Sequence, residues 1–458
     1  MRKSILLAIP FSLLLFSGCG RRNNTKNPTS TKPTKTQTTK DQTTTQDDPI
    51  PLTNKDIYVS TTGHATSDGA DESDPTTFEH ALELVYSGDT IYLAKGTYTF
   101  SNTISITPAT CKNGSEIKRN RVIANEGAVF DFDSTKGDAT ASNGGITITC
   151  SYWQFENITV KNSDNYGFDV TGKGNKLVNC IADNNSNGGF NINNASLTTL
   201  NNCIANNNHV DGYFAYGFYI SGSGENNSLD SCIATNNQDS GFFINNTKKI
   251  TLNKCYAENN GNYNTGSVNR SGFVFNDKGH IFTNCISYNN AFYGFYVPTS
   301  SSDKSDYTLF KCSAINNHKK NYSFVTNRNT NVSITNVLSY NDNNEATNDF
   351  LVGKVTNCFI YYSNTYYPKS YLYIELDEDY KYDISKIPLD ISGYTNKYII
   401  NTTVPDEMKK DGKTVYFDEE GKINFYDYLD RSLLFQDELF ENVSTVETTV
   451  YFGANINE

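Results

Sequence analysis

The stretch KLVNCIADNNSNGGFNI, residues 176–192, decides the fold, because the chain repeats its pattern. LTTLNNCIANNN (197–208), ITLNKCYAENN (250–260) and HIFTNCISYNN (280–290) are variants of its first half. An apolar residue or Cys is followed four positions later by Asn. The pairs are Ile158/Asn162, Cys180/Asn184, Cys203/Asn207, Cys232/Asn236, Cys255/Asn259, Cys285/Asn289, Cys312/Asn316 and Val337/Asn341. Cys358 extends the row without its Asn, and the steps between successive pairs are 21 to 30 residues. A second ladder, Gly-apolar-x-apolar, begins at Gly167, Gly189, Gly217, Gly241, Gly272 and Gly294. Repeats of this length, with strand-sized apolar runs and no helical period, specify an all-β solenoid, a parallel β-helix.

Each coil is too small to bury its own apolar face, so stacked coils bury one another. The runs around each Cys alternate as strands do, which places the thiols in an internal column. Asn suits the turn after that strand because it tolerates unusual backbone, and stacked identical amides hydrogen-bond from coil to coil. Gly in the second ladder reads as a sharp bend before the next strand. One of the ten cysteines, Cys19, belongs to an export signal, leaving an odd number. Their regular spacing predicts reduced core thiols, each behaving as a small hydrophobe. Zinc ligand pairs lie two to four residues apart, a spacing this ladder lacks.

Outside the coils the chain changes character three times. Arg2 and Lys3, the apolar run Ile5 to Phe16 and Ser17-Gly18-Cys19 read as a signal peptide over residues 1–18. The ending resembles a bacterial lipobox, which implies a lipid on Cys19. Residues 19–50 then form a Thr-rich tether with little to bury. This predicts an extracytoplasmic protein, lipid-anchored at a bacterial surface or secreted, that meets the membrane only through the anchor. TTFEHALELVYSG (76–88) has helical period, with Phe78, Ala81, Leu82 and Val85 on one face, and reads as a short helix capping the solenoid. Coils run over 55–365. The segment 366–458 is acidic, either a cap or a small domain, and carries nearly all of the chain's net charge of −12.

Residues 55–365 resemble the family nine polysaccharide lyases, pectate lyases built on a right-handed parallel β-helix. The resemblance rests on the opening DIYVSTTGHATSDGADESDPTTFEHALELVYSGDTIYLAKGTY, on SYWQFENITVKNSDNYGFDV, and on the later FTNCISYNNAFYGFYV and YTLFKCSAINNHKKNYSF. It implies β-elimination in which a Ca²⁺ held by clustered Asp acidifies a uronate and a Lys removes the C5 proton. The family's first Asp stands in an Ala-Asp-Gly-Phe run, which here is Ala215-Tyr216-Gly217-Phe218. Its Asp-Asp-Gly-Trp-Asp run is Asp239-Ser240-Gly241-Phe242-Phe243, and its Gly-Phe-Lys is Gly272-Phe273-Val274. The base and most of the metal carboxylates are therefore substituted. Asp239 and, in a neighbouring loop, Asp211 are the residual metal candidates, too few oxygens for a cation that takes six to eight. Arg270, one coil from Asp239, is the candidate base of a rebuilt site.

The outward positions of the ladder carry rings where the family carries charge. Tyr216, Tyr219, Phe243, Tyr293 and Tyr296 are the candidate substrate-binding residues, on a face whose six coils span roughly 24 Å. Aromatic faces suit the CH faces of sugars. Such a stripe is also what a covering segment would require, and the acidic C-terminal region is the candidate cover. Three functions remain open: a degenerate lyase that binds a pectin-like or other wall polysaccharide, an active lyase with a relocated centre, and a non-catalytic surface adhesin. A near-neutral solenoid beside an acidic tail makes neutral glycan a fair ligand. Phosphate-loop, dinucleotide and Gly-x-Ser-x-Gly signatures are missing, the low basic content argues against nucleic acid, and a monomer is expected.

Overall fold

The computed structural model describes residues 54–132, 143–209, 214–261, 270–276, 278–298, 306–324 and 331–341 apart from 336, with short strands between 354 and 414. Its body is a stack of coils closed by parallel strand pairing, as the repeat predicts. One sheet of nine strands runs along the stack. In chain order it holds β1 Ile104–Ile106, β2 Ile146–Ile148, β3 Tyr166–Val170, β4 Gly188–Asn193, β5 Tyr216–Ser221, β6 Phe242–Asn245, β7 Phe273–Phe275, β8 Tyr293–Val297 and β9 Lys320–Phe324. The second sheet takes two short strands per coil, such as Lys176–Val178 and Ile181–Asp183.

Those paired short strands correct the reading of KLVNCIA as one strand. The residue before each Cys has left-handed backbone, with φ of 51° at Asn179, 52° at Asn202, 54° at Ser231 and 52° at Lys254. The chain bends there and continues after the thiol. The inward facing survives the bend. Cys180, Cys203, Cys232, Cys255, Cys285 and Cys312 are all buried, and the eight described cysteines are free thiols. Burial pushes Cys180, Cys232, Cys255, Cys285 and Cys312 well above the ordinary thiol range.

The double Asn divides two tasks between neighbours. The first takes the turn, with φ of 57° at Asn184, 55° at Asn236 and 53° at Asn259. The second builds a buried amide ladder. Asn185 donates to Asn208 Oδ1 at 3.1 Å, Asn208 to Asn237 at 2.8 Å, and Asn237 to Asn260 at 2.9 Å. It continues through Asn290 to Asn317, each step 2.9 Å. This ladder explains the Gly column better than a bend does. A Cβ on Gly217 would lie 2.8 Å from Asn237 Nδ2 and 2.6 Å from Gly241 O, so close approach excludes a side chain. Next to each Gly, Phe168, Phe190, Phe218, Phe242, Phe273 and Phe295 stack inside the core with centroids 4.7 to 5.0 Å apart.

The predicted helix is present as α1, Phe78–Leu84, with Thr77 as its N-cap. Phe78, Ala81 and Leu82 are buried, and Phe78 meets Phe130 of the early coils edge-on at 4.9 Å. At the other end, Cys358–Tyr362 pairs antiparallel with Lys369–Tyr373, which ends the parallel stacking along that edge. Cys19, the tether and nearly all of 366–458 lie outside the described residues.

Candidate functional site

The nine-stranded sheet presents one outward column two residues after each ladder Gly. Register fixes it as Asp169, Asn191, Tyr219, Phe243, Val274, Tyr296 and Ser323, from β3 to β9. The column just before each Gly holds Tyr166, Gly188, Tyr216, Ser240, Ser271 and Tyr293, with Lys320 in register with Tyr293.

The predicted binding residues gather into two clusters rather than one stripe. On β5 and β6, the Tyr216 and Phe243 rings stack at 4.6 Å with 14° between planes. Tyr219 lies 5.3 Å from Tyr216 and 5.6 Å from Phe243, and the exposed Phe214 adds a fourth ring 6.3 Å from Tyr216. On β8, Tyr293 and Tyr296 are 4.6 Å apart, with Phe292 beside Tyr293 at 6.0 Å. The coil between them carries Ser271 and Val274, both buried. The Ser240 and Ser271 hydroxyls face backbone of the next coil: Ser271 N–H donates to Ser240 Oγ, and Tyr293 N–H to Ser271 Oγ, each at 3.3 Å. Tyr216 is also nearly covered, whereas Tyr219, Phe243, Tyr293 and Tyr296 keep part of their surface.

A polar group begins the column at its N-terminal end. Asn191 Nδ2 donates to Asp169 Oδ1 at 2.8 Å. Burial raises the Asp169 carboxyl above its ordinary value, with the Asn191 bond opposing that. The Tyr166 ring lies over Gly188, where an added Cβ would touch it at 3.2 Å. Burial raises its hydroxyl too, and the nearby Tyr219 and Asp169 add to the effect.

Among the described residues, the candidate metal and base positions bring together one carboxylate, Asp239, and one cation, Arg270. Asp239 is 1% exposed, and its Oδ1 accepts from Ser240 N–H at 2.9 Å. Its neighbours at the family's metal positions are a Ser hydroxyl and two aromatic rings, which supply far fewer oxygens than Ca²⁺ takes. Among the described residues no group of three or more His, Cys, Asp or Glu is placed to hold a metal. Asp211 lies outside the described residues. Arg270 stands one coil after Asp239 at the same coil position, with its guanidinium 4.6 Å from the centroid of Phe292. Lys319 Nζ lies 4.0 Å from that same ring.

Phe214, Phe292, Lys319 and the Tyr166–Asp169–Asn191 group were not among the predicted site residues. The signal for Phe292 and Lys319 was the position two before each ladder Gly, with Asn321 standing where that Gly would be. Away from this face, a cleft of about 510 Å³ on the first coils is lined by Asp56, Tyr58, Glu72, Tyr92, Lys95 and Asn125 among others. It contains none of the predicted site residues.

Comparison with known proteins follows the same span. Residues 57–344 match the family model described as the Pel9A-like, right-handed beta helix region. Pectate lyase L of Dickeya chrysanthemi is 32% identical over 177 residues, 36% of this chain and 41% of that protein. Pectate lyase L of Paenibacillus polymyxa strain SC2 is 27% identical over 159 residues, 35% of each chain. The chain thus spans 41% and 35% of the length of these two curated relatives. The crystal structure of pectate lyase Pel9A superposes with a TM-score of 0.55 at 26% identity, covering 67% of this chain and 78% of that one. A rhamnogalacturonan lyase shares the fold, with a TM-score of 0.56 at 20% identity over 66% of this chain and 87% of that one.

Proposed function

The chain belongs to the Pel9A-like right-handed β-helix family, and from that membership we propose an extracytoplasmic lipoprotein that binds polysaccharide on its nine-stranded face, where a lyase centre has been replaced. Cys19 and the tether anchor it, and a pectin-like or other wall glycan is the ligand. The observation that carries this reading is the Tyr216–Phe243 stack at 4.6 Å. It stands at two positions where the resemblance places calcium ligands, and the buried Val274 stands at that of the base. A hydrocarbon side chain takes no proton, and one buried carboxylate with a hydroxyl is a poor calcium site. What the face offers instead is ring surface with hydroxyl and amide edges: Tyr166, Tyr219, Asn191, Tyr293 and Tyr296. Such surfaces suit sugar rings, flat and apolar with a polar rim.

The rival reading is an active lyase rebuilt around Arg270 and Asp239. In its favour, the two occupy the same position on consecutive coils. Against it, Asp239 is buried and bonded to Ser240 N–H, and the Arg270 guanidinium is engaged with Phe292. Ultraviolet detection of unsaturated product separates the two. The full-length protein is incubated with polygalacturonate and methylated pectin, with Ca²⁺ and with chelator. The binding reading expects no product at protein levels where a family member consumes the substrate. It also expects retention on insoluble wall polysaccharide that Tyr219→Ala with Phe243→Ala weakens. Product lost in Arg270→Ala would establish the rebuilt lyase instead. Absence of both product and retention would leave the adhesin reading.

A further inference from the structure

The cleft of about 510 Å³ on the first coils lies apart from the nine-stranded face. Its floor is a pair of rings. Tyr58, on the strand Asp56–Val59, and Tyr92, on the strand Thr90–Leu93, stand in register on neighbouring parallel strands. Their centroids are 5.7 Å apart, with 21° between planes. Both rings keep part of their surface, while Ile57, Val59, Ile91 and Leu93 beside them turn into the core. The next residue along the row is Ile123, which is buried, so the strip is two rings long.

One wall is the turn before Thr76, and hydrogen bonds fix it. Thr76 pairs beside Val59, and its N–H donates to Tyr58 O at 2.9 Å. Tyr58 N–H donates to Gly69 O at 2.8 Å, and Ser67 Oγ to Asp74 O at 2.6 Å. The Asp71 carboxylate accepts from Ser73 N–H and Ser73 Oγ, each at 2.8 Å. Gly69 has φ of 62°, and a Cβ there would lie 2.7 Å from Tyr58 O, so only Gly lets the turn approach this closely. The wall brings Glu72 to the cleft; Asp56 and Asn125 line it as well.

Asp56 and Glu72 make no ion pair or side-chain hydrogen bond among the described residues. Partial desolvation raises the Tyr58 hydroxyl, and Asp56 and then Glu72 raise it further, so both carboxylates act on that ring. Lys95 also lines the cleft, one ammonium set against two carboxylates. The cleft is therefore negative. It repels a uronate and attracts a sugar that carries an ammonium. Carboxylates accept the charged N–H bonds, the rings offer apolar and cation-binding surface, and Asn125 offers an amide to hydroxyls. A cleft of this volume is within the range of small-molecule sites.

We propose that Tyr58, Tyr92, Asp56 and Glu72 form a second glycan site, which takes sugars bearing a free amino group. The site goes beyond the reading of the nine-stranded face, and neither depends on the other.

The test is isothermal titration of the full-length protein with glucosamine tetramer and with its N-acetylated form, at mildly acidic pH where the amines are protonated. The expected result is roughly tenfold tighter binding of the amine form, a ratio typical of one charge-assisted hydrogen bond. That preference weakens as salt rises. Asp56→Asn with Glu72→Gln, both at exposed side chains, is expected to erase the preference with an unchanged unfolding midpoint. Tyr92→Ala is expected to weaken both tetramers. Tyr219→Ala with Phe243→Ala should leave amine binding intact, and the cleft variants should leave retention on insoluble wall polysaccharide intact. Equal affinity for the two tetramers, or a preference that the carboxylate substitutions leave unchanged, overturns the site. A lysine tetramer that binds as tightly as the glucosamine tetramer overturns it as a sugar site. Loss of wall retention alone overturns the reading of the nine-stranded face and not this one.

Discussion

Replacing Asn237 by Ala tests whether the buried amide ladder holds the solenoid together. Asn237 is fully buried. Its Nδ2 donates to Ala205 O at 3.0 Å and to Asn260 Oδ1 at 2.9 Å. Its Oδ1 accepts from Asn208 N at 3.2 Å and from Asn208 Nδ2 at 2.8 Å. Truncation removes all four bonds. Asn208 Nδ2 keeps Ala182 O, but the backbone N–H of Asn208 loses the acceptor that Asn237 supplied. With about 1 kcal/mol for each of the other three bonds and about 1–3 kcal/mol for the orphaned N–H of Asn208, the expected loss is about 4–6 kcal/mol. Asn236→Ala is the control. Asn236 has φ of 55° and one long side-chain bond, 3.4 Å to Asn206 Oδ1. Ala in left-handed backbone costs about 1–2 kcal/mol. Urea unfolding followed by far-ultraviolet circular dichroism and by Trp153 fluorescence reads both variants. Two probes are needed because solenoid coils lose cooperativity when an interface weakens. An Asn237→Ala loss no larger than that of Asn236→Ala would refute the ladder as a source of stability.

Three further outcomes follow from burial. Desolvation lowers the His280 pKa from 6.5 to about 4, with a bond to Asn276 O opposing it, so the fold disfavours the charged ring. Its contribution is fully present above pH 6.5 and is lost as pH falls through 4, at most about 3 kcal/mol. His280→Gln should flatten that part of the pH–stability curve, and an unchanged curve would reject the assignment. Asp169 shows the opposite sign, since burial raises its carboxyl above 3.8 and charging it opposes folding. Asp169→Asn should stabilise the protein near pH 7, with the gain fading below the ordinary carboxyl range. A gain independent of pH in equilibrium unfolding would count against it. The buried thiols Cys180 to Cys312 should resist a thiol reagent in the native protein and react in urea. Peptide mapping that finds native modification in this column would contradict its placement.

The facing of the strands was legible because alternation survives a bend, while the bend itself was not. The left-handed residue before each Cys is Asn at 179, 202 and 284 but Ser231, Lys254 and Lys311 elsewhere, so no residue type marks it. The two Asn of each turn look alike in sequence. Only position separates the one that takes the backbone strain from the one that enters the core. The Gly column invited a conformational explanation, and the cause was steric, a neighbouring amide 2.8 Å from where a Cβ would sit. On the face, the spacing of Tyr216, Tyr219 and Phe243 was enough to predict their grouping. The interruption at Ser271 and Val274 depended on hydrogen bonds to the next coil that residue identity does not encode. Lys319 was hidden because its coil replaces the ladder Gly with Asn321, whereas Phe292, two residues before the intact Gly294, was legible from that position.

Along the nine-stranded sheet, core and face alternate residue by residue. Phe218 joins the inner ring stack and Tyr219 the outer cluster; Phe242 and Phe243 divide in the same way. The inner columns carry the stability, through ring stacking, the thiol column and the amide ladder, and none of these touches the outward columns. A solenoid of this kind can therefore exchange every outward carboxylate for a ring without disturbing its core. The exchange is also favourable in itself. Clustered carboxylates repel one another until a cation binds, whereas stacked rings such as Tyr216 and Phe243 attract by about 0.5–1.5 kcal/mol. Keeping a calcium centre thus requires selection for its chemistry, and losing it costs the fold nothing. That asymmetry is why membership of the fold family does not by itself carry the reaction. It is also why the chemistry has to be read from the outward columns alone, where this chain offers rings at the centre and cations at one end.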